Sequence, residues 1–581
     1  MPHYAASRGR KGTEVAMRCA LNALVVVLAL LPVASAGASR PLAGATLPLE
    51  RQVDAVFGDF DSTVSPGCAL AVFREGRTLY RRGYGMADLD HDVPITPATP
   101  FHVASVSKQF TAAAVLLLGQ EGKLSLDDDV RRYVPELPDF GNAVTLRQMI
   151  HHTSGLRDQW DMLGLAGWRY SLDLITDEDV LSVVSRQRGL NFHPGERFLY
   201  CNTGYTLLAQ VVKNVSGRSF REFTDERIFH PLGMERTHFR DDHAEVVRGQ
   251  ALGYTPASGP SPFRLSVTNF DTVGATSLVT TAEDLGRWDS NFDDPRVGGP
   301  ELVRSLVEPG RLADGTPTPY AAGLVLGRYR GLRTVGHGGS DAGYRAYILR
   351  FPDERVTIAC LCNLSTADPT TRVRQVADVL LAGRLGPPDV TTAATEPRAF
   401  GLAQDRLAAL TGLYWSREEQ DSLRVVLKGG ALYAVVSPEA SYELRPTGES
   451  TFRFVGPLRG ARFEKAAGGR LTMIASWDND PRTYAFEHVE PARPAPEELR
   501  ALAGSYRSEE IDPVYRIDVA DGGLVLRRLK AKPDTLEPIV ADIFKGSVGV
   551  LRFERSPAND VSGFILSTGR VRNMRFERVA P

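Results

Sequence analysis

Phe101-His-Val-Ala-Ser-Val-Ser-Lys-Gln-Phe110, running directly into Thr111-Ala-Ala-Ala-Val-Leu-Leu-Leu-Gly119, is the stretch on which the fold turns. Its second half is almost wholly apolar. Small residues permit close approach and leucines supply bulk, so it predicts a buried helix. In the first turn Ser105 and Lys108 stand three residues apart, hence on one face. That spacing has a chemical reading. A serine hydroxyl is a poor nucleophile until a neighbouring base takes its proton, and a desolvated lysine amine is able to take it. Burial and the positive end of a helix dipole both lower a lysine's pKa. The competing reading is a helix cap followed by a surface lysine, and the rest of the chain has to decide between them.

Just upstream, Pro66–Phe73, Arg74-Glu-Gly76 and Arg77–Tyr84 predict a β-hairpin with a Gly-containing turn, preceded by a lead-in helix over Leu49–Phe60. At the N-terminus, Arg8, Arg10, Lys11 and Arg18 precede the apolar run Ala20–Val33, which ends in Ala34-Ser35-Ala36. This is the pattern of a secretory signal peptide over residues 1–36, with Met17 as an alternative start. The apolar run is short for a membrane anchor, so the mature chain is expected to be soluble and either periplasmic or extracellular. With 581 residues, several domains are expected. A net charge of −2 gives no electrostatic case for nucleic acid.

Downstream, His151-His152 precede Thr153-Ser-Gly-Leu156, but adjacent histidines do not share a helix face, and no Cys-x-x-Cys or His-Glu-x-x-His is present. No metal or cofactor is expected. Cys68, Cys201, Cys360 and Cys362 remain after export, and disulfides are open to them. Cys360 and Cys362 fall on one face of a buried strand, where free thiols are expected. Pro194-Gly195 makes a turn that positions Tyr200-Cys-Asn202 just before a helix over Tyr205–Val215. A tyrosine beside a lysine ammonium can sit as phenolate and serve as acid or base. Asn202 can orient the lysine and bind a substrate carbonyl. Ala275–Trp288 ends in a capped helix, read as structural. Finally His337-Gly338-Gly339-Ser340 runs into the strand-like Tyr344–Phe351, the glycines allowing backbone to approach a ligand. Gly338-Gly-Ser-Asp-Ala342 nearly spells a nucleophile elbow, but that motif must open a helix, and a strand follows here.

Ser105-Val-Ser-Lys108, Tyr200-Cys-Asn202 and His337-Gly-Gly339, in that order, resemble the class C β-lactamase and penicillin-binding-protein family of serine hydrolases. His152–Leu156 and Leu278–Leu285 look like further signatures of it. The resemblance covers about residues 50 to 385. It implies an α+β domain, an antiparallel sheet flanked by helices with a helical subdomain, over residues 45–385. It also implies acylation of Ser105, proton transfer shared by Lys108 and Tyr200, Asn202 positioning them, and an oxyanion hole from the N–H groups of Ser105 and Ser340. Lactamases usually carry Lys-Thr-Gly where this chain has His337-Gly-Gly339. A mostly neutral imidazole there looks like the esterase and D-aminopeptidase branches. Arg345 is a candidate replacement cation.

After a linker over residues 386–400, strand-like alternation returns with an internal repeat. Leu410-Thr-Gly-Leu-Tyr414 recurs as Leu502-Ala-Gly-Ser-Tyr506, and Phe486-Glu-His-Val489 as Phe576-Glu-Arg-Val579. Two small antiparallel barrels are expected, over 401–490 and 497–581. This layout resembles the D-aminopeptidase architecture, in which the terminal barrel sends a loop towards the active site. Arg507–Pro513 is a candidate source of carboxylates for a substrate ammonium. The alternative is a pair of lipocalin-like modules that add stability or bind a partner.

The reading is thus an exported serine hydrolase of amides or esters acting on a small-molecule or peptide substrate. A β-lactamase or D-alanyl-D-alanine carboxypeptidase is the alternative within the family. A non-catalytic binder of peptidoglycan-like ligands is the alternative outside it.

Overall fold

The computed structural model describes residues 48–387 and 400–580, except Ser171 and the segments 438–439, 455–457, 466–468 and 478–481. The signal-peptide reading and most of the linker lie outside the described residues.

The region from Pro48 to the linker is built on a six-stranded antiparallel sheet. Its strands are β1 (Cys68–Arg74), β2 (Arg77–Tyr84), β3 (Val325–Tyr329), β4 (Leu332–Asp341), β5 (Tyr344–Phe351) and β6 (Val356–Cys362), in the spatial order β3-β4-β5-β6-β1-β2. The central strands are covered on both faces, which is why β1 and β6 read as unbroken apolar runs rather than alternating ones. Along β1, Ala69, Ala71 and Phe73 join the core on one face, while Cys68, Leu70 and Val72 join the core on the other. That second face is closed by α1 (Leu49–Val56) and α4 (Pro369–Leu380), which bring Val53, Phe57, Val373 and Val376 together. The lead-in helix ends earlier than expected, at Val56. Phe57 and Phe60 still reach the core from the turn that follows.

The opposite face carries the helix Ala282–Ser290 against β1 and β6, and the same core takes in α2 (Lys108–Gln120) and α3 (Asn202–Ser216). Lys108 through Leu118 are all buried, so α2 is enclosed on every side, as an apolar helix without a polar face must be. α3 begins at Asn202, three residues earlier than the sequence pattern indicates.

One expectation is corrected here. Cys362 is not a free thiol. Cys68 on β1 stands directly opposite Cys362 on β6, and the two form a disulfide. Cys360, two residues back on the same face, remains free and buried, its Sγ 3.6 Å from that of Cys362.

The C-terminal third forms two closed, eight-stranded antiparallel barrels with strands between Gly412 and Val489 and between Gly504 and Val579. The repeat in the sequence is a repeat in structure. Each barrel opens with a short helix, a glycine at φ 143° (Gly412) or 156° (Gly504), and then a buried tyrosine. Tyr414 donates its hydroxyl to the Leu410 carbonyl at 2.8 Å, and Tyr506 does the same to Leu502 at 2.6 Å. Among the described residues no helix is long and apolar enough to cross a membrane.

Candidate active site

Ser105 lies in a single 3₁₀ turn, Ala104–Ser107, immediately before α2, so the nucleophile candidate sits just ahead of the helix rather than inside its first turn. Ala104 holds φ 48°, the left-handed region that a residue with a Cβ occupies at a cost. β4 runs alongside, and its glycine is required. A Cβ on Gly339 would come within 2.1 Å of the Val103 carbonyl oxygen, so only a bare backbone lets the strand approach the Ser105 turn. Ser105, Tyr200, His337, Gly338, Gly339 and Ser340 face one cleft of about 1540 Å³. Ser340 lies on a strand, paired with Arg345 of β5, which excludes a strand-to-helix elbow there.

Lys108 is fully buried, and its Nζ donates to three oxygens: Ser105 Oγ at 3.0 Å, Asn202 Oδ1 at 2.9 Å and the Ala275 carbonyl at 2.7 Å. Burial pushes its pKa down to about 7, with Asp158 opposing the shift and Arg570 assisting it. Near neutrality a large share of this lysine is therefore the free amine. Asn202 is held in turn by Asp158. The buried carboxylate accepts from Asn202 N at 2.7 Å and Nδ2 at 2.9 Å, so the amide oxygen faces the lysine.

Tyr200 places its ring 4.9 Å from Lys108 Nζ. Burial raises its pKa well above the ordinary phenol value, with the Ser105 hydroxyl and Arg570 acting the other way. Of the two forms the sequence left open, acid or phenolate, burial favours the neutral phenol, because desolvation outweighs the nearby cations. His152 fixes its position. Held at φ 57°, it takes the Leu199 N–H on its carbonyl at 2.9 Å and the Cys201 N–H on Nδ1 at 3.1 Å, gripping the backbone on both sides of Tyr200. The two rings pack 4.2 Å apart. With Nδ1 accepting, His152 is neutral, and burial depresses its pKa further.

His337 is also buried and neutral, its pKa lowered to about 4 by burial and by Lys108. Nδ1 lies 2.6 Å from the Gly338 carbonyl, so that nitrogen carries the proton, and Nε2 accepts from the Tyr320 hydroxyl at 2.9 Å. No fixed positive charge stands at this position. Arg345 lines the cleft but spends its Nη1 on the Ala342 and Tyr344 carbonyls, at 3.0 Å and 2.7 Å.

The second barrel completes the wall. Its last hairpin inserts Thr568–Asn573 beside the catalytic cluster. Thr568 Oγ1 donates to Asp161 at 2.6 Å, Asn191 binds Arg570 O at 3.0 Å and Arg572 N at 2.7 Å, and the Asp158 N–H donates to Arg570 O at 3.2 Å. The Arg570 guanidinium reaches 5.3 Å from the centre of the Tyr200 ring. The loop that arrives is therefore not Arg507–Pro513, which instead sends Glu510 into a buried pair with Arg157. It presents an arginine rather than a carboxylate.

Comparison with known proteins agrees with this geometry. The family described as Beta-lactamase matches residues 53–382. The chain belongs to the β-lactamase family. Being 30% identical to the D-aminopeptidase of Gluconobacter oxydans over 79% of this chain and 83% of that protein, this family member has curated relatives of nearly its own length. It is also 26% identical to the D-aminopeptidase of Brucella canis over 88% and 96% of the two chains. The octameric penicillin-binding protein homologue from Pyrococcus abyssi shares the fold at TM-score 0.53 and 24% identity, covering 75% of this chain and 99% of that one. This family member is a serine hydrolase with two C-terminal barrels.

Ser105, Lys108, Tyr200, Asn202, His337, Gly338, Gly339 and Ser340, anticipated from the sequence, lie in or directly beside one cleft. Asp158, Ala275 O, Tyr320 and Arg570 were not among them. Asp158 and Arg570 act from loops with no spacing rule, and Ala275 contributes a backbone oxygen that any residue would supply. His152 was visible in the paired histidines, whose positional role a metal-ligand search overlooks.

Proposed function

We propose that this protein is an exported amidohydrolase of D-aminoacyl substrates, working through an acyl-enzyme on Ser105. The observation that carries the mechanism is Lys108 Nζ at 3.0 Å from Ser105 Oγ with a pKa near 7. The free amine takes the serine proton as Oγ attacks the substrate carbonyl. The N–H groups of Ser105 and Ser340 receive the negative charge on the carbonyl oxygen. Tyr200, neutral and adjacent to both groups, gives its proton to the departing amine and regains one from the Lys108 ammonium. Water then attacks the ester, losing its proton along the same path in reverse. Asn202, held by Asp158, keeps the lysine on the serine.

The choice of D-aminoacyl amides is supported by the relatives named D-aminopeptidase. Export is supported by the N-terminal basic and apolar pattern and by the Cys68–Cys362 disulfide, which persists in oxidising compartments. The test compares wild type with Ser105→Ala on D- and L-alanyl p-nitroanilides, a short-chain ester and a cephalosporin. Turnover of the D-anilide in excess of the L-form, lost in the variant, is expected. Cephalosporin turnover above that of the anilide would overturn the reading, and ester turnover alone would reassign the enzyme as an esterase.

A further inference from the structure

Among the described residues, eight arginines and three carboxylates line the cleft in front of Ser105. The carboxylates are already engaged. Glu419 accepts from Arg197 at 3.1 Å and Arg572 at 2.5 Å, Asp421 from Lys545 at 2.8 Å, and Asp368 caps the N-terminus of α4 through Thr371 at 3.0 Å and 2.6 Å. Most of the arginines whose contacts are defined have partners too: Arg197 and Arg572 hold Glu419, and Arg345 holds backbone carbonyls.

Arg570 differs. Its main chain is anchored on both sides by Asp161 and Asn191, so the residue cannot drift. Yet among the described residues its guanidinium makes no hydrogen bond, and the carboxylate oxygen within reach, Asp158 Oδ2, is 3.8 Å away and already accepts two bonds from Asn202. Its side chain is 42% exposed to the cleft. A rigidly mounted arginine with open donors, in a cleft whose acids are occupied, is a receptor for an anion.

Its position says which part of the substrate carries that anion. Arg570 lies over the face of Tyr200, the group assigned above to protonate the departing amine. We infer that Arg570 binds a carboxylate on the leaving group, so that the enzyme prefers D-aminoacyl compounds whose departing amine is itself an amino acid with a free carboxylate. This rests on the function proposed above and narrows it: short D-peptides ending one residue after the scissile bond are favoured over their amidated counterparts. Among the described residues the carboxylates lining the cleft are all engaged, so they do not favour a second ammonium on the leaving group.

The test measures kcat/KM for D-alanyl-D-alanine and D-alanyl-D-alaninamide with wild type, Arg570→Gln and Arg570→Lys, by quantifying the alanine and alaninamide released. The expected wild-type preference for the free carboxylate is about tenfold or more, the order a charge-assisted hydrogen bond gives. It falls to near unity in Arg570→Gln and is partly restored in Arg570→Lys. Raised salt lowers it in the wild type alone. Circular dichroism and labelling of Ser105 by a fluorophosphonate establish that each variant is folded and holds a reactive serine. A wild type that cleaves both compounds with equal kcat/KM overturns the inference while leaving the amidase reading standing. So does a preference that survives Arg570→Gln. A labelled, folded wild type that cleaves neither overturns the amidase reading and the inference with it.

Discussion

The two C-terminal barrels are copies of one module put to different uses. Each closes eight strands and opens on the same tyrosine-to-carbonyl bond. The first meets the catalytic region through Glu418 and Glu419 on Arg197, and Glu419 and Asp421 reach the cleft. The second is built into it. Arg157 and Glu510 pair with both side chains almost wholly buried, Tyr515 donates to the Leu165 carbonyl at 2.8 Å, and the Thr568–Asn573 loop walls the site. The lesson is that a repeated fold does not fix a repeated role. Both copies line the cleft, the first with Glu419 and Asp421, but it is the second whose loop brings Arg570 over Tyr200.

Breaking the buried pair should give the largest effect. Arg157→Met leaves Glu510 buried without its guanidinium partner, holding the Arg188 N–H, and should cost about 3–5 kcal/mol in denaturant unfolding, with activity lost as the loop withdraws. The double variant Arg157→Met/Glu510→Leu should recover much of that stability. A single variant as stable as wild type would show that the second barrel docks no more firmly than the first. Next in size is Arg570→Gln. Removing this cation favours the charged form of Lys108, whose pKa now lies near 7, so the rising limb of the pH–kcat/KM profile should move to higher pH. Activity at neutral pH should fall several-fold, since a unit of pKa is worth about 1.4 kcal/mol. Glu418→Gln, on the first barrel, should leave that limb in place.

The shared feature should respond alike in both copies. Tyr414→Phe and Tyr506→Phe each strand a carbonyl and should each cost about 1 kcal/mol, and a large difference would mean that the repeat is not equivalent where it looks most so. Smallest is the rim contact. With Glu418 68% exposed, its pair with Arg197 is screened by water, and Glu418→Gln should change stability by no more than about 0.5 kcal/mol.

The fold and the motif residues were legible because they rest on local rules. Ser105 and Lys108 stand three residues apart where the turn enters α2, Gly339 sits where strand and turn touch, and the repeat of Leu410–Tyr414 at Leu502–Tyr506 announces two like modules. What was not legible depends on contacts between distant parts of the chain. Cys362 pairs with Cys68 because β1 and β6 are neighbours, a register that a run of apolar residues does not encode. Tyr200 is a neutral phenol because of how deeply it is buried, which depends on His152, Tyr320 and a loop more than three hundred residues away. Arg570 could not be singled out, since nothing in Thr568-Gly-Arg570 distinguishes it from any other turn.

The measurement that bears most directly on the central claim is acyl-enzyme trapping with a D-alanyl ester at a series of pH values, read by mass spectrometry of the peptide containing Ser105. Acylation of that serine should rise through about pH 7, following loss of the Lys108 proton, and should vanish in Ser105→Ala. An acyl group found on another residue, or turnover that persists in Ser105→Ala, would contradict it.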